Sequence, residues 1–406
     1  MKKYKILIII FDIIDENAGG VQSIVKSLSN LFIKKGFDVK YLLYSENTIE
    51  DNNYQYFHFS PVYLKNQNEE KRLIDFFNIN EFDFIINNFG LNFQLVIERL
   101  SEIRKSEKLN FKIINYHHNG VQDVFDSYEN ITLNKFDSFS SISYKIQKYL
   151  FLNLPWFRKF YLIAGKQKLL RNFRNACLYS EANIFHFDNF ANEAKNKLEI
   201  PSHVLNTSVF PPIKYKFNPI ETFEKENIVL YVGRVELMQK RIDKLLQIWK
   251  AMGNASSHWK LFIVGEGSYI YEAKAFVSKF DLNNVFFLGK DDPEKYYRKS
   301  KLLLLTSDFE GLGLVLVESM MKRCIPVSFK CYSGITQIIS NNQNGILIEK
   351  GNDVEFATKL QDLLEHPEKI DVMNQEIYST LDSFNDDFIL NKWLEIFEKL
   401  EIGVTC

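Results

Sequence analysis

The sequence predicts an α/β protein of two doubly wound, Rossmann-like parallel-sheet domains that face a cleft. Three observations predict it. Short apolar runs recur along the whole chain, helical patterns fill the gaps between them, and one polar, proline-marked break divides the series in two. The runs are continuous rather than alternating, as strands buried on both faces of a parallel sheet require. Repeated strand–helix alternation then builds doubly wound units.

The first run, KILIIIF at 5–11, sits behind lysines as a signal peptide's would. Asp12 and Asp15 interrupt the apolar stretch and no small-residue cleavage site appears after it, so a first strand is expected. A helical pattern covers 21–35. DVKYLLY (38–44), DFIINN (83–88), FKIINYHH (111–118) and ANIFHF (182–187) complete the strands of the first half. Pro211 and Pro212 then open a polar linker that reaches about 226, which places one domain at 1–212 and the next at 213–385. The second half repeats the scheme with NIVLYVGR (227–234), a helix at 242–252, KLFIVGEG (260–267), NVFFLG (284–289), KLLLLTS (301–307), CIPVSF (324–329) and GILIE (345–349). No run reaches the roughly 18 apolar residues of a membrane-crossing helix.

With 406 residues, 46% of them apolar, the chain can bury two ordinary cores. A net charge of −1 creates no global field that would recruit nucleic acid or acidic ligands. Cys177, Cys324, Cys331 and Cys406 form no CxxC pair, which suits a reducing, cytoplasmic compartment.

In an open parallel sheet, ligands bind beyond the carboxyl ends of the strands. The segments just after the apolar runs therefore carry the candidates. After IVLYV comes GRVELMQKR, with Arg234 in the turn and Lys240 at the start of the next helix. Two cations there suit a diphosphate, and the Arg234 guanidinium can grip two oxygens; a solvated basic turn fits equally. After KLFIV comes GEGS, where Gly265 and Gly267 allow a tight turn and close backbone approach. A plain strand-to-helix turn needs no more. After KLLLL comes TSDFEGLGLVLVES, with Gly311 and Gly313 leaving the backbone accessible and a helix expected from about Leu314. Amides at that helix start make an anion site. Glu310 falls in the loop and Glu318 about one turn into the helix. Carboxylates in apolar surroundings need donors. A ribose diol for Glu318 and a sugar hydroxyl for Glu310 would supply them, although an exposed loop acid and a helix-dipole acid are the plainer alternatives.

In the first half, NAGGVQSIVKSL sets Gly19 and Gly20 between a strand and its helix, as a phosphate or sugar loop would. INYHHNG sets His117 and His118 at a strand end, where one of them can meet a transferred sugar; His118, followed by Asn119, is the choice. Residues 138–180 hold eight Lys/Arg and no Asp or Glu, interleaved with aromatics such as Tyr149, Trp156 and Phe160. That composition suits an anionic membrane surface through about 141–175, or the solvated face of a helical layer. No base-reading module points to nucleic acid. The sequence has neither an Asp-x-Asp clamp nor a GxxxxGK[ST] loop. The expected chemistry uses no metal or cofactor, with Arg, Lys and a helix dipole carrying the diphosphate.

Together these residues resemble the retaining glycosyltransferases of family 4, which have the GT-B fold. The resemblance covers nearly the whole chain and is strongest at 227–351. It rests on the E-x7-E pair Glu310 and Glu318, on VGR…QKR, and on GEG and VFFLG. It implies that Arg234 and Lys240 meet the donor diphosphate, and that the backbone around Gly289 and Lys290 meets the nucleobase. Glu318 would hold the ribose, Glu310 the donor sugar, and the N–H groups of Gly313, Leu314 and Val315 would serve the donor too. Gly19, Gly20 and His118 match the family's glycine loop and cleft histidine. The helix at about 386–402 is similar to one that returns to the first domain. Asp188 stands where many members carry serine. The implied activity moves a hexose or N-acetylhexosamine, from a UDP-sugar first and GDP-mannose next, to a hydroxyl of a growing lipid-linked surface glycan. O-antigen, lipopolysaccharide, capsule and exopolysaccharide all fit, with retained configuration, on the inner face of the cell membrane. Two other readings remain. A catalytically silent scaffold of the same fold would be expected to lose the cations or the acid pair, and this chain keeps all four. A soluble enzyme making a storage or compatible sugar is the other. A nicotinamide enzyme would need GxGxxG after a strand, which neither half has.

Overall fold

The computed structural model describes residues 2–10, 20–43, 56–58, 67–88, 94–138 and 141–403. The chain divides into two compact units, Met1–Pro212 with Asp386–Cys406, and Ile213–Asn385.

The first unit is built on a parallel sheet of strands β1 (Lys5–Ile10), β2 (Asp38–Leu43), β3 (Tyr56–His58), β4 (Phe84–Asn87), β5 (Lys112–His117), β6 (Ala182–Phe185) and β7 (Leu205–Ser208), in the order β3-β2-β1-β4-β5-β6-β7. β1 pairs with β2 on one side and β4 on the other. Its run Ile6–Ile10 is buried on both faces, which is why no polar residue alternates with the isoleucines. β3 and β7 are the edges, and the apolar pattern does not announce them: β7 reads LNTS, half-buried and only weakly apolar. Between β5 and β6 the chain inserts four helices, Val121–Asp126, Tyr128–Ser138, Ile142–Asn153 and Pro155–Leu178. The final helix, Asp386–Ile402, belongs to this unit. Phe397 stacks on Phe84 with centroids 4.2 Å apart, and Trp393 sets its edge against Phe32 at 5.4 Å.

The second unit has strands β8 (Glu226–Val232), β9 (Lys260–Val264), β10 (Val285–Gly289), β11 (Ser300–Leu305), β12 (Ile325–Phe329) and β13 (Ile346–Ile348), all parallel, in the order β10-β9-β8-β11-β12-β13. Strand order reverses between β8 and β11 here, and between β1 and β4 in the first unit. Such reversals open a crevice at the carboxyl ends of the two diverging strands. At the opposite end of β11 the Lys225 ammonium donates to the carbonyls of Tyr297, Ser300 and Lys322 at 2.6–2.8 Å. Burial pulls its pKa down to about 8.

Candidate functional site

The reversal point of the second unit gathers most of the residues singled out in the sequence. The loop after β8 carries Arg234, Lys240 and Arg241, and the loop after β11 carries Ser307, Asp308 and Glu310. The two loops are sewn together by hydrogen bonds. Asp308 N–H donates to the Gln239 carbonyl (2.8 Å), Gln239 Nε2 to the Phe309 carbonyl (3.2 Å), and Thr306 Oγ1 to the Lys240 carbonyl (3.2 Å). Arg241, which takes a left-handed backbone at φ 49°, binds Asp243 through two nitrogens and reaches Asp308 with a third at 2.9 Å. This Arg241–Asp308 pair is not legible in the sequence, because its members lie 67 residues apart.

Within that frame Lys240 and Glu310 meet. Lys240 Nζ donates to Glu310 Oε1 at 2.6 Å, and the Ser307 hydroxyl donates to the same oxygen at 2.6 Å. The side chains are 14% and 9% exposed, so the pair is largely withdrawn from water. Arg234 differs. It is 64% exposed, with its guanidinium 2.8 Å from Glu236 and 2.7 Å from Gln239. The sequence assigns Glu310 to a sugar hydroxyl and Lys240 to a phosphate; in the structure each already holds the other.

The glycines allow the close backbone approach expected of them, here between neighbouring loops. Gly265 (φ 139°) would place a Cβ 1.9 Å from the Gly233 carbonyl oxygen, and Gly267 would place one 2.3 Å from that of Val235. The backbone that approaches is therefore the neighbouring loop. Gly265 also ties in the third loop, donating to the Gly289 carbonyl at 2.8 Å. Gly313 caps the helix Leu314–Met321 with φ 62°. The Tyr332 hydroxyl packs against it and donates to the Leu312 carbonyl at 2.6 Å. The N–H groups of Leu314 and Val315 head this helix, in the first turn where no intrahelical acceptor exists. Gly311 is half-buried in the loop before it, and Lys290 is exposed after β10.

Glu318 is half-buried one turn further on and faces a separate set of groups. The buried Tyr297 hydroxyl donates to its Oε2 at 3.1 Å. Burial pushes the Glu318 carboxyl up to about 7, against the pull of the Tyr297 hydrogen bond and of Lys214. Tyr297 is not among the residues the sequence singles out, and a lone tyrosine in EKYYRK offers no signal.

Among the described residues, the first unit carries a row of neutral polar groups along β4 to β7. Asn87, Asn115, Asn183 and Asn206 stand side by side in register on β4, β5, β6 and β7. Asn87 Nδ2 donates to Asn115 Oδ1 (2.9 Å), and Asn115 Nδ2 to the Ala176 carbonyl (2.8 Å) and Asn183 Oδ1 (3.2 Å). His117 is buried on the same face, 3.1 Å from Asn183 Oδ1 and stacked on Phe185. His118 turns to the other face and is half-buried. Its Nε2 lies 2.9 Å from both the carbonyl and Oδ1 of Asn88, and its Nδ1 lies 2.9 Å from His186 Nε2. A carbonyl only accepts, so Nε2 of His118 carries the proton and Nδ1 accepts from His186. Both nitrogens of His118 thus have partners. Burial lowers His117 and His118 to about 4 and His186 further still. Sequence reasoning misses the asparagines, although an Asn inside each of the three runs DFIINN, FKIINYHH and ANIFHF is a visible signal.

Gly20 is exposed as the first residue of the helix Gly20–Lys34, and Gly19 lies outside the described residues. Asp188 begins the helix Asp188–Leu198, where the dipole favours an acid, and accepts from the Ser208 hydroxyl. Among the described residues no group of three His, Cys, Asp or Glu is placed to hold a metal ion, and no helix is long and apolar enough to cross a membrane.

Residues 213–380 match the family model described as Glycosyl transferases group 1. A poly(ribitol-phosphate) alpha-N-acetylglucosaminyltransferase of Staphylococcus aureus is 31% identical over 187 residues, covering 44% of this chain and 37% of the relative. A Campylobacter jejuni N-acetylgalactosaminyltransferase, named for a substrate linked to PP-undecaprenol, is 28% identical over 181 residues, covering 44% of this chain and 50% of the relative. The match thus spans half the length of these relatives or less. A crystal structure of Anabaena HepE with UDP-glucose superimposes with a TM-score of 0.68 at 15% identity, covering 98% of this chain and all of HepE. That likeness, with the two parallel-sheet units, makes the fold GT-B.

Proposed function

Since residues 213–380 are a glycosyl transferases group 1 domain, we propose that this protein is a glycosyltransferase that uses a nucleoside diphosphate sugar, a UDP-sugar first. The acceptor is a hydroxyl of a growing, lipid-linked surface glycan, and the configuration is retained. The observation that carries the reading is the Lys240–Glu310 pair at the β8/β11 reversal, in a loop that leads into the amides of Leu314 and Val315. A sugar nucleotide's diphosphate gains negative charge as the glycosidic bond breaks. Fixed positive groups in a low-dielectric site stabilise that charge most, because they need not reorganise.

Lys240 is the central cation, held in place by Glu310. Arg234, exposed at the rim, closes on the phosphates by exchanging Glu236 for them. Glu318 takes the ribose hydroxyls. His118 serves a sugar hydroxyl from its Nε2–H once Asn88 gives way. The names of the relatives support an N-acetylhexosamine as the transferred group, and the HepE complex with UDP-glucose supports a hexose as the alternative and UDP as the carrier.

The test is a thermal-shift series with UDP, GDP and ADP in EDTA. A ligand that binds only the folded state raises the midpoint in proportion to its affinity. UDP is expected to raise it and the others to raise it less. A shift that requires a divalent cation would overturn the metal-free chemistry, and no shift with any nucleotide would overturn the donor site and leave the silent scaffold in its place.

A further inference from the structure

The helices Ile142–Asn153 and Pro155–Leu178 are apolar on two sides. Their inward side forms an aromatic cluster in which Phe151 sets its edge against Phe136 at 5.6 Å and Tyr161 at 5.8 Å. The outward side carries Ile142, Ile146 and Tyr149 on the first helix, and Trp156, Phe160 and Ile163 on the second, at i, i+4, i+7 spacing in each. All six are exposed, Trp156 by 68% and Phe160 by 69%. Single exposed apolar residues need no explanation, but six within 22 residues form a surface stripe, and such a stripe marks an interaction site.

The surroundings of the stripe narrow the partner. Lys145, Lys159, Lys168 and Arg171 are exposed and enter no ion pair among the described residues. The segment has no Asp or Glu from 138 to 180. A folded protein partner would bring its own mixture of charges, whereas a bilayer bearing anionic headgroups offers one sign of charge over an apolar interior. Tryptophan, tyrosine and lysine together are the residues that favour that boundary. We propose that the stripe on these two helices is a membrane-docking wedge, which inserts Trp156, Phe160 and their neighbours among the headgroups of an anionic bilayer while the lysines bind its surface. The wedge belongs to the first unit and is independent of the donor-site reading.

Vesicle binding of the full chain tests it, with phosphatidylcholine alone compared with an equal mixture of phosphatidylcholine and phosphatidylglycerol, without nucleotide. Trp249, Trp259 and Trp393 are buried, so a blue shift of tryptophan emission on adding vesicles reports Trp156. Binding to the anionic vesicles with a blue shift is expected. Salt should weaken it, and Lys145→Gln with Lys159→Gln should weaken it by roughly fivefold per lysine. Trp156→Ser with Phe160→Ser should remove it while leaving circular dichroism and the UDP midpoint shift unchanged. Equal binding to both vesicle types, or binding that survives both pairs of substitutions, would overturn the proposal. So would a dimer in light scattering that the Trp156→Ser, Phe160→Ser pair dissolves, because the stripe would then be a self-association face. A missing UDP shift with intact vesicle binding would count against the donor site alone.

Discussion

The two units share a strand order up to the last edge strand, 3-2-1-4-5-6 in each half's own sequence, and place opposite kinds of chemistry at the same strand ends. Beyond β8 and β11 stand ions: Lys240 with Glu310, Arg241 with Asp308, and Glu318 poised near neutrality. On β4, β5 and β6 stand amides, and just beyond β5 and β6 stand the imidazoles of His118 and His186, which burial keeps uncharged, with Asp188 the carboxylate that follows them. The topology thus supplies a crevice and the loops supply its electrostatics. An ionic crevice can exchange one of its own charges for a ligand's. Neutral groups offer hydrogen bonds to hydroxyls.

The largest expected break of this contrast is Lys240→Ala. It strands Glu310 in a largely dry site, so it should cost about 3 kcal/mol of stability, seen as a lower denaturant midpoint. Loss of the fixed cation should lower the transfer rate by roughly 100-fold or more. Lys240→Met with Glu310→Leu should recover the stability without the activity, which separates the two effects. Arg234→Ala should lower the rate by about tenfold, as the loss of one charge-assisted contact does, and leave the stability from denaturant unfolding within about 0.5 kcal/mol, because the side chain is exposed. If each single alanine left the transfer rate within about a factor of two, the donor-site account would fail.

Glu318 sharpens the contrast through pH. A ribose diol donates to a carboxylate, so nucleotide binding must release the proton that burial keeps on Glu318. UDP affinity should therefore rise by up to about tenfold between roughly pH 6 and pH 8. Glu318→Gln should flatten that profile in calorimetry, and an unchanged profile would remove Glu318 from the site.

A smaller effect distinguishes the units by sign. The Glu318 carboxyl is raised above its unfolded value, so its contribution to stability is present below about pH 4.5 and is lost as pH rises towards 7. The histidines are lowered, so theirs is present above about pH 6.5 and is lost as pH falls towards 4. Between those limits the slopes are opposite. Hydrogen exchange, corrected for its intrinsic pH dependence, should show the first unit opening first as acid is added. Replacing His118 with Asn should reduce that slope, and Glu318→Gln the opposing one. Equal slopes in both units would show that other groups dominate.

The range of each interaction decides whether the sequence shows it. Central strands declare themselves because burial on both faces leaves a run such as KILIII with no polar residue. The edge strand β7 does not, since an edge needs little apolar surface. The helix start at Leu314 is legible from Gly313, whose left-handed backbone favours a glycine. Which histidine is buried is not legible. Adjacent strand residues face opposite sides, and only the pairing of β5 with β6, which brings Asn183 beside His117, decides which side is which.

The two-part α/β architecture, the position of each central strand and the residues to look for at the strand ends can all be read along the chain. All of these follow from periodicity and local chemistry within a few residues. The tertiary structure alone decided the partners. It set Lys240 against Glu310 across 70 residues, brought Gly265 against the backbone of another loop, closed both nitrogens of His118, and left the stripe from Ile142 to Ile163 uncovered. The physical reason is that a pairing or a burial is a property of two segments meeting in space, and no single stretch of sequence contains both.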